Sequence, residues 1–499
     1  MEPNQIKFRL KSETDDFIIH EDAFDAKFLS YERDGLEVTL NFDNPVKVIG
    51  TKAITRKGWG KGTIFAYLEL PDSLESINGR SFDYPSVVDI KCHLLTPEGF
   101  FINDNILLGA IVPPYAKKVE IPEGITAIGP SAFPKDAGDE KCQIVFPKSL
   151  LRIEAHAFCS DDSSFKSANC KFKFNKNLEY IGDYACVYPA DTTLNIPDKV
   201  KYIGERAFNI TERVKKIKLG KGVEFVGRGA FAADLQSVTA CEGPFASEDK
   251  NCLIFKGTLL RVATKDMGLR GIIGSYVLPE GIKTIDTGAI PEPRCVPTFP
   301  KTLKTIRSSA LISCSGPELS LPASVEEIED GAFKGCRFDK ITSKLASKDG
   351  MYLKCNSILI LGSTKLEDAV IPKGIEKIGD YCFRQGSVTS IKFNKELKRI
   401  GVEAFRFCRK LTGKVVIPEG VEIIDKLAFA NTGIEELELP TTLKSLGWNA
   451  FESSVKRLKV ASPEFIKLPR IPKTVEVPES LLEQYKSAYP DEADRFHGF

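Results

Sequence analysis

VEEIEDGAFKGC at residues 325–336 and IEKIGDYCFRQG at residues 375–386 are two copies of one pattern, and this pattern decides the fold. Each copy places an isoleucine five residues before a phenylalanine and a small residue directly before that phenylalanine. The same pair, usually Ala-Phe, recurs along the chain, and its second residue is Phe82, Phe133, Phe158, Cys186, Phe208, Phe231, Ile290, Leu311, Phe333, Phe383, Phe405, Phe429 and Phe451, with Ile54 as a fourteenth. From Cys186 onward most intervals span roughly 21 to 24 residues, a period typical of solenoids, in which each thin turn forms a core only against its neighbours. The intervals from Phe231 to Ile290 and from Phe333 to Phe383 are longer and indicate insertions.

One repeat, IEELELPTTLKSLGWNAF at residues 434–451, shows how a turn is built. The segment IEELEL alternates as a strand does, and Pro440 ends the strand because proline lacks the amide that a neighbouring strand would bind. The apolar positions are Ile434, Leu437, Leu439, Leu443, Leu446, Ala450 and Phe451. The alanine admits the backbone at a corner, and the aromatic ring fills the space between turns. Equivalent residues are therefore expected to stack in ladders.

The repeats resemble the BspA-type, or Treponema pallidum-type, leucine-rich repeats. The resemblance rests on IPEGITAIGPSAF (121–133), IPDKVKYIGERAF (196–208), LPASVEEIEDGAFKGC (321–336) and IPEGVEIIDKLAF (417–429), and it covers about residues 45–460. It implies an α/β to mostly β fold, a curved solenoid of about 14 repeats, each of roughly 22–24 residues, with a parallel concave sheet. Pro297 departs from the pattern because it occupies a strand position.

The chain is predicted to have three parts. Residues 45–460 form the solenoid, and residues 1–44 and 461–499 are caps, because the end turns of a solenoid would otherwise expose apolar surface. Insertions near 94–112, 244–263 and 344–363 each hold two apolar stretches around a polar turn. This pattern predicts β-hairpins that project from the solenoid and contribute little to the stacking of turns. Pro478, followed by Leu481, Leu482 and Tyr485 at helical spacing, predicts a short closing helix.

Composition argues against several functional classes. The chain has 69 Lys and Arg against 68 Asp and Glu, so no global field favours nucleic acid or an anionic membrane. No apolar run approaches the roughly 18 residues of a membrane span, and the first residues carry no export signal, so the chain alone predicts a soluble, cytoplasmic protein. The 13 cysteines include no C-x-x-C pair, which favours buried free thiols over disulfides or metal ligands. The four histidines are scattered, so neither an enzyme nor a cofactor or metal site is predicted.

Charged residues at the outward strand positions predict an ion-pair ladder. Equivalent residues of adjacent parallel strands stand about 4.8 Å apart. The ladder is expected to pair three glutamates with the cations at the same positions of the next repeat: Glu435 with Lys456, Glu436 with Arg457, and Glu438 with Lys459. We interpret these pairs as structural.

Lys215, Lys216 and Lys218 occupy the same outward positions in VKKIKL. Their predicted neighbours are Thr192, Thr193 and Asn195 on one side and Gln236, Ser237 and Thr239 on the other, so no acid is expected to face them. This lysine cluster is the candidate binding site for an acidic partner. The alternative is a solvated lysine row that keeps the sheet soluble.

The resemblance implies a non-catalytic protein-protein interaction or adhesion protein that binds a host or cell-surface protein through the concave face, the hairpins or both. In that case the protein is expected at the cell surface or secreted, with a leader removed. The alternative is an intracellular repeat scaffold, which the free thiols favour. A monomer is expected, and the sequence leaves the identity of the partner open.

Overall fold

A single turn of the solenoid consists of a strand, a tight bend, a second short strand and a corner. In residues 433–451 the strand Gly433–Leu439 is followed by a bend in which the Leu443 amide donates to the Pro440 carbonyl at 3.4 Å. The second strand is Ser445–Leu446. At the corner Asn449 has a φ of +47°, and Phe451 is then buried against the neighbouring turn.

The structure is a computed structural model that describes residues 2–50, 52–57, 65–77, 90–112, 116–133, 142–158, 171–186, 193–208, 214–232, 238–263, 276–291, 296–451 and 455–499. The chain divides into two compact units, Met1–Leu253 and Ile254–Phe499. Both units consist mainly of short strands that pair in parallel from turn to turn. The predicted mostly β leucine-rich-repeat solenoid is confirmed.

The first unit begins with a sheet that is largely antiparallel. Its strands, in spatial order, are Phe28–Asp34, Glu37–Phe42, Gln5–Leu10, Phe65–Glu69 and Ile90–Lys91. Two smaller pairs lie beside it, Phe17–Ile19 with Ile54–Arg56 and Val48–Ile49 with Ser76–Ile77, and a 3-10 helix spans Glu21–Ala23. Phe8, Leu40 and Phe65 are fully buried in the core of this region. The predicted N-terminal cap thus shares one sheet with residues 65–69.

The rest of the first unit is a stack of turns. One seven-stranded sheet contains Phe100–Asn103, Ile106–Ala110, Ala127–Ile128, Arg152–Ile153, Tyr180–Ile181, Tyr202–Ile203 and Phe225–Val226. The strands that precede these short ones form two further sheets, Lys118–Glu120 with Gln143–Val145 and Lys171–Lys173, and Thr193–Asn195 with Lys216–Lys218 and Ala240–Glu242. Most turns therefore contribute one strand to each of two faces.

The second unit, together with the hairpin strand that leads into it, repeats this arrangement. Its short-strand sheets are Cys252–Phe255, Thr258–Val262, Thr284–Ile285, Thr305–Ile306 and Glu327–Ile328, and then Tyr352–Cys355, Ile358–Gly362, Lys377–Ile378, Arg399–Ile400, Ile423–Ile424 and Ser445–Leu446. The other sheets are Ile290–Pro291 with Leu311–Ile312 and Phe333–Lys334, Ser315–Ser320 with Arg337–Thr342, Asp368–Val370 with Ser390–Lys392, and Thr412–Val416 with Gly433–Leu439, Arg457–Val460, Thr474–Val477 and Phe496–Gly498. The α-helix Leu482–Ala488 lies between the 3-10 helices Glu479–Leu481 and Pro490–Arg495.

The residue directly before each described Ala-Phe pair, or variant of that pair, adopts the left-handed conformation. These residues have φ between +46° and +67° and are Lys52, Ser131, His156, Tyr184, Arg206, Gly229, Gly288, Ser309, Gly331, Tyr381, Glu403, Leu427 and Asn449. None has a branched β-carbon, in keeping with the cost of roughly 1–2 kcal/mol that an L side chain has in this region. At each of these turns the corner thus requires a left-handed residue directly before the Ala-Phe pair or its variant.

The predicted aromatic ladder forms the core of the stack. Apart from Phe82, which lies outside the described residues, every position of the ladder is buried. The rings of Phe383 and Phe405 stack at 5.0 Å, and those of Phe405 and Phe429 stack at 5.2 Å. Because each of these rings touches the equivalent ring of the next turn, similar residues recur at each period.

The three insertions are β-hairpins, and their second strands join the stack. Strand Ile358–Gly362 pairs with Tyr352–Cys355 and also runs parallel to Lys377–Ile378, with Leu359 opposite Ile378. Leu359 is fully buried, as is Leu259 at the equivalent place in the second hairpin. The expectation that the hairpins contribute little to the stacking of turns is wrong, because their second strands pair with the next turn and supply buried leucines to the core.

The last residues of the chain contain the helix that the sequence indicated. Tyr485 is fully buried, and its hydroxyl accepts the Ile466 amide at 2.9 Å. No helix among the described residues is both long and apolar enough to cross a membrane.

Candidate functional site

Two of the three expected ion pairs of the ladder are formed. Glu435 Oε1 lies 3.1 Å from Lys456 Nζ, and Glu436 Oε1 lies 3.5 Å from Arg457 Nη1. The strand register places Glu436 opposite Arg457. All four side chains of the formed pairs are substantially exposed, so each pair is expected to contribute little to stability.

The expected pair between Glu438 and Lys459 is wrong, although the register places the two residues opposite each other. Glu438 Oε1 lies 2.6 Å from Lys414 Nζ on the preceding strand, and this bond raises the pKa of Lys414. Lys459 Nζ instead lies 4.3 Å from the centre of the Phe499 ring. Glu438 has a cation on either side, and the ring of Phe499 competes for one of them.

The surroundings of Lys215, Lys216 and Lys218 differ from the expectation on one side. Thr193 lies opposite Lys216 and Asn195 opposite Lys218, in the expected register. On the other side, the residues opposite Lys216 and Lys218 are Ala240 and Glu242 rather than Ser237 and Thr239.

The expectation that no acid faces this cluster is therefore wrong, since Lys216 Nζ lies 3.3 Å from Glu242 Oε1. The segment between Phe231 and Val238 is longer than in the repeat used to set the register, and the Thr239 amide consequently donates to the Lys215 carbonyl. Thr192, Gln236 and Ser237 lie outside the described residues.

The outward positions around this cluster are rich in lysine. In the seven-stranded sheet the short strands follow one another in chain order, so the turns stack in that order. The two three-stranded sheets that hold the other strands of these turns therefore lie along one side of the first unit. Their outward residues are Lys118, Glu120, Gln143, Val145, Lys171, Lys173, Thr193, Asn195, Lys216, Lys218, Ala240 and Glu242. We call this surface the lysine face. Five lysines and two glutamates give it a positive charge.

The corresponding surface of the second unit is balanced. The outward residues of its last strands are Asp368, Val370, Ser390, Lys392, Lys414, Val416, Glu436, Glu438, Arg457, Lys459, Thr474 and Glu476. Four cations are matched by four carboxylates. Charge therefore distinguishes the lysine face from the equivalent strands of the second unit, although both are built from the same repeat.

The turns that lead into the hairpins offer a second candidate surface. Asp349 Oδ1 accepts the Met351 amide at 3.0 Å, and Ser347 Oγ accepts the Tyr352 amide at 3.0 Å. In the second hairpin an aspartate and a serine make the same two contacts, since Asp249 accepts the Asn251 amide and Ser247 accepts the Cys252 amide. The Ser347 hydroxyl, which bonds the Asp349 carboxylate, lowers the pKa of that carboxyl. Both turns thus share one hydrogen-bonding pattern.

Most of the described cysteines are buried in the core. The described cysteines are thiols, and Cys92 is the one among them that is not buried. Burial raises the pKa of Cys408 to about 12, and its thiol donates to the Phe383 carbonyl at 2.9 Å. His20 hydrogen-bonds Thr55 at 3.0 Å. Within the described ranges no group of three His, Cys, Asp or Glu side chains is placed to hold a metal ion.

Comparison with known proteins places these repeats in a family. Six copies of the BspA type leucine rich repeat region match residues 114–236, 294–361 and 361–459, more than half of the chain. No curated protein matches the sequence.

Several solved structures resemble this one. A leucine-rich repeat protein from Bacteroides ovatus is 22% identical, with 77% of this chain and 92% of that chain covered and a TM-score of 0.34. The pneumococcal vaccine antigen PcpA is 16% identical, with 97% of each chain covered and a TM-score of 0.35. A leucine rich cell surface protein from Faecalibacterium prausnitzii is 18% identical, with 72% of this chain and 92% of that chain covered and a TM-score of 0.30. From the family match and the repeats described above, the chain belongs to the BspA type leucine rich repeat family.

Proposed function

We propose that the protein is a non-catalytic binding protein that holds an acidic protein partner on the lysine face. Leucine-rich repeat proteins of this family typically act in protein interaction or at surfaces. Solenoids suit that role because neighbouring turns present an extended surface whose outward residues vary freely while the inward residues keep the fold. The observation that carries the proposal is the excess of lysine at the outward positions of the first unit.

The field of this face is not cancelled locally. Glu242 lies beside Lys216, and Glu120 beside Lys118, but no carboxylate of the described residues lies within ion-pair distance of the two lysines of strand Lys171–Lys173. The two lysines of one strand stand about 7 Å apart, which is shorter than the Debye length of about 8 Å at physiological ionic strength, and one uncharged strand separates Lys171–Lys173 from Lys216–Lys218. Their fields therefore add, and an acidic surface is attracted with a strength that falls as salt rises.

Charge reversal tests the proposal. The variant Lys171→Glu, Lys173→Glu and Lys218→Glu changes only exposed side chains, so its melting temperature should equal that of the unmodified protein. A matched control reverses three exposed lysines of the second unit, Lys340, Lys354 and Lys392. Both variants are immobilised and used to capture partners from extracts of the native cells and of host matrix.

The proposal predicts that a partner captured by the unmodified protein and by the control is lost by the lysine-face variant. It also predicts that salt weakens this capture. Capture that is the same for all three proteins at every salt concentration would contradict the proposal and direct attention to the hairpins.

A repeat scaffold inside the cell is the second candidate. The thiol state of the described cysteines favours it, because disulfides form in oxidising compartments and thiols persist in reducing ones. Fractionation of the native cell with an antibody to this chain separates the candidates: a surface or secreted fraction supports adhesion, and a cytoplasmic fraction supports the scaffold.

A further inference from the structure

Both series of strands in the second unit are interrupted at the third hairpin. Strand Glu327–Ile328 ends one short-strand sheet, and the next short-strand sheet begins with the hairpin itself. On the outward side, strand Arg337–Thr342 ends its sheet, and Asp368–Val370 begins the next one. The structure describes this whole region, and in it no strand of the turn at 321–342 pairs with a strand that follows it. Side chains therefore have to hold this turn to the later ones.

Asp330 reaches across this interruption. Its Oδ2 bonds Lys377 Nζ, and its Oδ1 accepts the Asp380 amide at 2.8 Å. Lys377 Nζ also lies 3.2 Å from Asp380 Oδ1. One amine thus contacts two carboxyl groups, and each oxygen of Asp330 has its own partner.

The close approach of these groups depends on the surrounding backbone and charges. A β-carbon at Gly379 would lie 2.6 Å from Asp330 Oδ1, so a larger residue there would push the carboxyl group away. The charge of Arg399 also acts on this cluster, but its guanidinium is bonded to Asp425 by two contacts of 2.7 and 2.8 Å. Lys377 is therefore the cation that binds Asp330.

The cluster is largely withdrawn from water. The side chains of Lys377 and Asp330 are each 21% exposed, against 61% for Lys456 of the ion-pair ladder. Burial, with the charge of Asp330, raises the pKa of Asp380, which brings this carboxyl group closer to the neutral range in which proton relay is efficient. Burial lowers and the bond to Asp330 raises the pKa of Lys377, with a net rise, so the resting contact is an ion pair.

We propose that Lys377 and Asp330 join through an intramolecular amide bond between Nζ and Cγ, with Asp380 as the catalytic residue that relays a proton. The ammonium and the carboxylate of the ion pair hold the atoms of one amide and one water molecule, so no further reactant is needed. A proton first passes from Nζ to Oδ2, which leaves the net charge of the pair unchanged. The neutral Nζ then attacks Cγ, and the Asp380 amide stabilises the negative charge that develops on Oδ1.

Asp380 relays the second proton. Its carboxyl group takes a proton from Nζ and passes a proton to Oδ2 as the bond between Cγ and Oδ2 breaks. Oδ2 leaves as water, the third proton of the ammonium stays on the amide nitrogen, and Asp380 returns to its initial state.

Holding the two reacting groups in contact favours the amide. Intramolecular groups in good geometry have effective molarities of about 10⁵–10⁸ M, far above the concentration of liquid water, and partial burial limits the reverse hydrolysis. The bond supplies a covalent link between the turn at 321–342 and the turns after it, at the point where strand pairing is interrupted.

Mass spectrometry of the purified full-length protein tests the proposal. After denaturation and reduction, the unmodified protein should be lighter than its sequence requires by one water molecule. A tryptic digest should contain a branched peptide that joins Lys377 to Asp330. Lys377→Arg keeps a cation beside Asp330 but cannot form the amide, because a guanidinium stays protonated, so this variant should have its full sequence mass.

A pair of matched variants tests the relay. Asp380→Asn keeps the backbone amide and the side-chain volume but should form the bond about a hundredfold or more slowly, so the freshly purified variant should be mostly unlinked. Asp425→Asn removes the carboxylate that binds Arg399 and should be linked as the unmodified protein is. A full sequence mass for the folded, unmodified protein, or a branch at other residues, would overturn the proposal. Equal linkage in Asp380→Asn and Asp425→Asn would overturn the role of Asp380 in it.

Discussion

Replacing Phe405 with alanine tests the aromatic ladder at its most constrained point. The Phe405 ring is fully buried and stacks between Phe383 at 5.0 Å and Phe429 at 5.2 Å. Truncation of a buried phenylalanine costs about 3–5 kcal/mol. Each aromatic pair contributes about 0.5–1.5 kcal/mol beyond the area it buries. Because Phe405→Ala removes two such pairs, we expect a loss near the upper end of the first range, about 5 kcal/mol.

Urea unfolding followed by circular dichroism measures this loss. The matched control is Trp448→Ala, which removes a larger aromatic side chain that is 66% exposed and should change the free energy of unfolding by less than about 0.5 kcal/mol. Phe405→Leu retains most of the volume and should cost about 1–2 kcal/mol. If Phe405→Ala and Trp448→Ala were equally stable, the assignment of the ladder to the core would be refuted.

Three further outcomes are expected. Leu359→Ala, in the second strand of the third hairpin, should cost about 2–5 kcal/mol of unfolding free energy. Its control, Lys354→Ala on the exposed side of the first strand, should cost less than about 0.5 kcal/mol. Similar urea midpoints for the two variants would show that the hairpin is not part of the core. Gly331→Val should destabilise by at least about 1–2 kcal/mol because Gly331 has a φ of +67°, and an equal melting temperature would refute the backbone requirement at the corner. Burial, reinforced by the charge of Asp330, raises the pKa of Asp380, so the folded chain binds this proton more tightly than the unfolded chain does. The contribution of Asp380 to stability therefore falls as pH rises from the ordinary aspartate range through the raised pKa. Asp380→Asn should therefore gain stability relative to the unmodified protein as pH rises through that range, and a constant difference in unfolding free energy would contradict the raised pKa.

The period, the buried ladder and the presence of hairpins could be predicted from the sequence because each depends on a repeated apolar position. Phe333 and Phe383 could be assigned to the core from spacing alone, and both are buried. The left-handed corner has a weaker signal in the sequence, namely glycine at some turns and the absence of β-branched residues at the described corners. The pattern of apolar residues does not reveal this conformation.

Register and side-chain choice could not be predicted in the same way. Lys218 faces Glu242 because the linking segment is longer in that turn, and a fixed offset cannot anticipate a change in loop length. Glu438 binds Lys414 rather than Lys459, a choice between two nearby cations that strand register leaves open.

Other features of the candidate surfaces were visible in the sequence. Tyr180, Tyr202 and Phe225 precede an isoleucine or valine and a glycine in three successive repeats, so alignment of the repeats by outward position would have revealed that their rings stack on one another. The lysines of strand Lys171–Lys173 likewise share the outward positions of those in strand Lys216–Lys218.

Direct titration of the lysine face tests the proposed function most sharply. The probe is a fluorescein-labelled polyglutamate peptide, and anisotropy is recorded at low and at physiological salt for the unmodified protein, the Lys171→Glu, Lys173→Glu and Lys218→Glu variant, and the control with Lys340, Lys354 and Lys392 reversed. A binding site on the lysine face predicts that the unmodified protein and the control bind the peptide with a salt-sensitive affinity and that the lysine-face variant binds it about tenfold or more weakly. Equal affinities for the two charge-reversed proteins would contradict it.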